Sequence, residues 1–115
     1  MPAILRQAAL SDLPGLFRVR YAVSEKGLSS LTIPDEQVSE ALGSTGRGWV
    51  VELDGLIVAF AIGDALTGSI WELFVDPPYR GHGYGRRLYE TVVEWLWSEG
   101  HDRVALDAQA NPSPG

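Results

Sequence analysis

Cysteine is absent from this 115-residue sequence, and lysine occurs once, at Lys26. Without thiols there can be no disulfide, no thiolate nucleophile and no cysteine-held metal. Long apolar runs are missing too. The longest, Leu56 to Ile62, falls far short of the roughly 20 residues that cross a bilayer. The opening MPAILRQAAL lacks the charged-then-apolar layout of a secretion signal, so a cytoplasmic chain without membrane segments is expected. Histidine is scarce, and His82 and His101 come with no convincing ligand set; no metal site is expected. A basic excess is also lacking. The net charge of −6 argues against general nucleic-acid binding, which neutralises phosphates with a basic surface.

What remains is 45% hydrophobic and 21% charged, the composition of a soluble globular domain, expected here to span residues 1–115. Such a chain buries about two-thirds of its unfolded surface, enough for a core without staples. Residues 3–7 read as an opening strand. Ser11 or Asp12 is placed to cap a helix through Leu13, Leu16, Phe17 and Val23, which Gly27 and Ser29-Ser30 end. A shorter helix begins at Pro34, with Asp35 and Glu36 at its positive end, and stops at Gly43. Trp49–Leu53 and Leu56–Ile62 flank Asp54-Gly55, a strong hairpin signal. Ser69 to Val75 is a further strand, broken by Asp76-Pro77-Pro78. The longest helix runs from about Gly83 to Glu99, with Tyr84, Leu88, Val92, Trp95 and Leu96 as its apolar stripe. A strand over Arg103–Asp107 follows. The order β-α-α-β-β-β-α-β predicts an α/β fold on a mixed, mostly antiparallel sheet flanked by helices.

The informative segment lies between the prolines and that long helix. Three of the nine basic residues, Arg80, Arg86 and Arg87, fall within eight positions of one another. Between them Gly81, Gly83 and Gly85 alternate, so a ligand can approach the main chain closely. A helix start presents unpaired N–H groups and the positive end of its dipole, which together suit a pyrophosphate. Arginines in a helix's first turn are unfavourable by about 0.3–1 kcal/mol each unless an anion answers them. The competing explanation is an Arg86–Glu90 pair at i,i+4, worth about 0.2–0.5 kcal/mol. A P-loop is excluded, because no Gly-Lys-Ser/Thr follows the glycines. The spacing G-x-G-x-G also departs from the dinucleotide fingerprint G-x-G-x-x-G.

Arg80-Gly81-His82-Gly83-Tyr84-Gly85 resembles the R/Q-x-x-G-x-G/A signature of the GNAT superfamily of N-acetyltransferases. The surroundings, Leu73-Phe74-Val75-Asp76-Pro77 before and Arg86-Arg87-Leu88 after, resemble that family's as well. The resemblance covers essentially the whole chain, since the order of elements is also the family's as far as its fifth strand. It implies acetyl-CoA (coenzyme A) as cofactor and direct transfer of acetyl to an amine, without a covalent enzyme intermediate. Main-chain groups of Phe74 and Val75 would bond the pantetheine arm, where their strand splays from the next. Gly81, His82, Gly83, Tyr84, Gly85 and Arg86 would hold the pyrophosphate through their amides, with Arg80 and Arg87 beside them. The two early helices would line the acceptor site. Family members continue past the fifth strand with a helix bearing the tyrosine that commonly protonates the leaving thiolate. The sequence stops at Gly115, before such a helix, so a C-terminally incomplete domain is expected.

Other residues carry two readings each. Glu72, on the strand entering the turn, is a candidate base for the acceptor ammonium or else an outward or salt-bridged carboxylate. His82 is a phosphate neighbour or an exposed loop residue, and Tyr79 and Tyr84 touch cofactor or pack. Trp97 lies off the helix stripe and would meet a missing element or a partner. Tyr21 and Ser24 are candidates for the acceptor pocket. The acceptor itself is expected to be a small-molecule or peptide amine. The alternative to an enzyme is a CoA-binding or interaction module whose open fifth-strand edge another chain completes, and that edge also suits a homodimer. A binder of nucleotide phosphates sharing only the glycine turn is the third reading.

Overall fold

Leu56–Asp64 is apolar almost without interruption because it is covered from both sides: every residue after Leu56 is buried. In the computed structural model, which describes residues 3–25, 35–44 and 46–106, this strand is the centre of a five-stranded sheet. The strands are β1 (Ile4–Gln7), β2 (Gly46–Leu53), β3 (Leu56–Asp64), β4 (Ser69–Val75) and β5 (Ala105–Leu106), and they lie side by side in chain order. β1 to β4 pair antiparallel, whereas β5 runs parallel to β4. That parallel pairing follows from the crossover helix α3 (Tyr84–Ser98), which returns the chain to the same end of the sheet. Among the described residues no helix is long and apolar enough to cross a membrane.

Two cores result, one on each face. Leu88, Val92 and Leu96 of α3 pack on Trp49, Val51, Ala59, Ala61, Leu73 and Val75. On the other face Leu16, Val19 and Val23 of α1 (Leu13–Glu25) and Val38 of α2 (Asp35–Leu42) meet Val50, Phe60, Ile62 and Phe74. Consecutive strand residues point to opposite faces, so Leu73 and Val75 serve the α3 side and Phe74 the α1 side. Asp54 and Gly55 both take positive φ, 51° and 81°, as the two central residues of a type I′ hairpin turn require.

The boundaries correct the sequence reading in three places. Neither Ser11 nor Asp12 is the first cap: a 3-10 turn over Leu10–Asp12 precedes α1, and Asp12 accepts the Ala9 N–H at 2.7 Å from inside it. β2 and β3 are longer than the hydrophobic pattern indicated, because the hairpin ladder extends to Gly46 opposite Asp64. β5 keeps only Ala105 and Leu106 of the strand expected over Arg103–Asp107, with Asp107 outside the described residues. Gly27, Ser29, Ser30 and Pro34, expected to bound the first two helices, also lie outside them.

Candidate functional site

β4 ends in the middle of the molecule and the chain turns at once. Asp76 closes the ladder with its N–H on the Val58 carbonyl, 2.8 Å, and Pro77–Tyr79 make a 3-10 turn whose Tyr79 N–H returns to the Asp76 carbonyl, 2.8 Å. Pro77 and Pro78 lack the N–H that a further strand residue would need. Gly81 and Gly83 then take φ of 87° and 80°, a region L side chains rarely adopt, and a Cβ at either would meet nothing within 4 Å. The glycines therefore face open space, not a packed neighbour.

Gly83 is also the N-cap of α3 and, lacking a side chain, caps nothing. The first helical bond is from Arg87 N–H to the Gly83 carbonyl at 3.1 Å, so the amides of Tyr84, Gly85 and Arg86 precede the ladder. No acidic residue stands in the first turn to answer the dipole. Charge does gather there, and all of it is positive. Among the described residues Arg80, Arg86 and Arg87 are exposed and make no side-chain hydrogen bond or ion pair, and the Arg86–Glu90 pair does not form. By contrast Arg6, Arg18 and Arg20 each hold at least one carboxylate. A glycine cradle, free amides and three unanswered guanidinium groups fit a pyrophosphate.

The two adjacent arginines are not equivalent. Arg87 lines a shallow cleft of about 280 Å3 with Leu5, Glu90, Thr91 and Glu94. Helical geometry turns Arg86 100° away from it, toward the flank of Tyr89 and Val93. His82 is exposed, as one of its two readings had it, and stacks on Tyr84 with ring centroids 5.5 Å apart. Tyr84 and Tyr79 are half-buried and pack on the α3-side core. Trp97 is exposed beside Tyr89 and Val93.

The strand edge sorts the expected pantetheine contacts. β4 meets β5 only at Ser69 and Ile70, so among the described residues its edge from Trp71 to Val75 has no partner strand on that side. In an antiparallel ladder hydrogen-bonded pairs alternate, and Asp76 with Val58 is such a pair. Phe74 opposite Phe60 is therefore another, its N–H and C=O engaged with β3. Leu73 and Val75, opposite Ala61 and Ala59, turn theirs to the open edge. Of the two residues expected to bond pantetheine, Val75 turns its main chain to this edge and Phe74 does not, while Leu73 does. The sequence held the signal in its period of two, but not its phase.

Glu72 takes the ion-paired of its two readings. It is fully buried, and Arg20 donates from Nε to Oε1 and from Nη2 to Oε2, both at 2.8 Å. Arg20 Nη1 also donates to Asp35, whose other oxygen accepts from the Tyr21 hydroxyl. That hydrogen bond, and then burial, push the Tyr21 phenol above its ordinary pKa. A cluster bridging α1, β4 and α2 could not be read from spacing, since its members are 52 and 15 positions apart. Among the described residues no three His, Asp or Glu side chains are grouped to hold a metal.

A family model described as the acetyltransferase (GNAT) family matches residues 16–114. The amino-acid acetyltransferase of Azotobacter vinelandii is 35% identical over 92 residues, covering 76% of this chain and 20% of that protein. The mycothiol acetyltransferase of Beutenbergia cavernae is 40% identical over 63 residues, covering 50% and 21%. This chain thus spans about a fifth of the length of these curated relatives. Among solved structures, a ribosomal-protein-alanine N-acetyltransferase from Brucella melitensis matches with a TM-score of 0.68 at 18% identity, over 98% of this chain and 84% of that one. The PaiA N-acetyltransferase of Thermoplasma acidophilum, solved with coenzyme A, matches with 0.69 at 14% identity, over 87% and 75%. At such identities the likeness is one of fold.

Proposed function

This chain belongs to the acetyltransferase (GNAT) family, and from that premise we propose that it binds acetyl-CoA at the β4–α3 turn and passes the acetyl group directly to an amine. The observation that carries the reading is the uncapped start of α3, with Arg80, Arg86 and Arg87 lacking any carboxylate among the described residues. Main-chain groups of Gly81 to Arg86 hold the pyrophosphate, with Arg80, Arg86 and Arg87 beside it. Leu73 and Val75 bond the pantetheine arm along the open edge as a further strand would. Bound there, acetyl-CoA would supply a thioester carbon to the amine nitrogen, so that the C–N bond forms, the C–S bond breaks, coenzyme A leaves as its thiolate and water takes the amine proton and protonates the thiolate.

The acceptor stands against α1 and α2, near Tyr21 and Asp35. The relatives' names point to different amines, so the class proposed is a small-molecule or peptide amine, favoured when cationic by the net charge of −6. Glu72 serves in this reading as the counter-ion of Arg20 and takes no proton from the acceptor. Amine deprotonation is left to solvent water at the open edge.

Calorimetric titration of the chain with acetyl-CoA, beside an Arg80→Ala, Arg86→Ala variant, tests the site. A charge-assisted hydrogen bond is worth about 1.5–3 kcal/mol, so the double variant should lose at least about tenfold in affinity. No binding by the folded chain, or equal binding by the variant, would refute the assignment. Binding without acetylation across a panel of amines would favour the CoA-binding module.

A further inference from the structure

α1 contributes two arginines that reach β4 from the acceptor side. Arg20 holds Glu72, within the strand, and Arg18 holds Asp76, one residue beyond it. Leu73 and Val75, the two residues whose main chain faces the open edge, lie between those carboxylates. The segment proposed to bind pantetheine is therefore clamped at both ends by one helix.

The two clamps differ in kind. Arg20 and Glu72 are both almost wholly buried, and each meets the other through two hydrogen bonds. Arg18 is 42% exposed and makes two contacts: Nη1 to Asp76 Oδ2 at 2.9 Å and Nη2 to the Ile57 carbonyl at 2.6 Å. Asp76, only 4% exposed, follows directly on the Val75–Ala59 pair that ends the register of β4 with β3. Its N–H is held by Val58, its carbonyl by Tyr79 and its carboxylate by Arg18. With every polar group engaged, its backbone angles are set, and they aim the chain into Gly81 and Gly83.

We propose that Arg18 is a positioning residue for the cofactor: through Asp76 it fixes the direction in which the glycine turn leaves β4, and so couples the acceptor helix to the CoA site. The inference rests on the CoA reading above and adds to it a residue that touches no cofactor atom. It also implies that an acceptor pressing on α1 is felt at the pyrophosphate turn.

The test compares Arg18→Met and Arg18→Lys with Arg6→Met, which breaks an ion-pair cluster joining β1, β2 and the turn before α1 without contact to β4 or Asp76. Two readouts are taken on each folded variant: CoA affinity by calorimetry, and amide exchange of the free protein at Asp76 and Tyr79. Arg18→Met should weaken CoA binding on the order of tenfold, as usual for coupled sites, and speed exchange at both amides. Arg18→Lys, which can reach Asp76 but not Ile57 as well, should fall between. Arg6→Met should leave both readouts at the wild-type level. CoA affinity and exchange unchanged in Arg18→Met would overturn the proposal, as would an equal loss in Arg6→Met. If the wild type binds no CoA, the functional reading fails, while the exchange rates still decide whether Arg18 holds the turn.

Discussion

Replacing Glu72 with Gln removes the carboxylate that takes two hydrogen bonds from a guanidinium with 1% of its surface exposed. Breaking a buried ion pair from one side costs about 3–5 kcal/mol, and Asp35, which remains, brings the expected loss toward the lower figure. Urea denaturation measures it. A near-neutral change, joined to a shifted pH–rate profile, would restore Glu72 as a base. Residue by residue, the arginines divide into two groups that composition could not separate. Arg6, Arg18 and Arg20 are committed to carboxylates, Arg47 lies over the Trp95 ring, and among the described residues those of the turn hold no carboxylate. The turn itself was legible, because its glycines, arginines and prolines are consecutive. Arg18 and Arg20 were not, because a partner 58 or 52 positions away leaves no local trace.

At the scale of elements, the seating of α3 on β3 depends on one missing side chain. A Cβ at Gly63 would lie 2.7 Å from Val92 Cγ1 and 3.1 Å from the Trp95 ring, which stacks edge-on against Trp49. Gly63→Ala should therefore lower stability by about 1–3 kcal/mol through overpacking, read as a reduced thermal midpoint. Gly83→Ala makes a useful contrast. There is room for the methyl group, so the expected cost is about 1–2 kcal/mol of left-handed strain alone. A fall in CoA affinity at saturating fold would show that the ligand approaches the main chain at that glycine. The strands and helices themselves were readable from their periods of 2 and 3.6, and Ser69–Val75 was read to the residue. Ends were read less well. The 3-10 entry to α1 and the extension of the β2–β3 ladder depend on partners that periodicity does not contain.

Across the molecule, β1, β2 and the entry to α1 are joined by Arg6, which bonds Asp12 through two nitrogens and also Glu52. That bonding, reinforced by the Ala9 N–H and opposed by burial, holds the Asp12 carboxyl below its ordinary pKa. A depressed carboxylate adds stability above its unfolded pKa, about 3.9, and loses it as pH falls through the folded value. Acid unfolding below about pH 4 should thus be less steep in Asp12→Asn, with stability at neutral pH already reduced; identical acid limbs would count against the linkage. Tyr21 acts with the opposite sign. Its raised phenol contributes below the ordinary tyrosine pKa and is lost as pH rises through the folded one, so its bond to Asp35 loosens only in alkali.

Local patterning was enough for the α/β class, the Asp54-Gly55 hairpin and the glycine–arginine turn, because each is written in adjacent residues whose conformational preferences need no distant partner. The phase of the β4 edge, which opens Leu73 and Val75 instead of Phe74, required the folded ladder. So did the pairing of Arg18 with Asp76 and of Arg20 with Glu72. Hydrogen-bond register and ion-pair partners are choices among groups brought together by packing, and a chain read in order holds the candidates but not their distances.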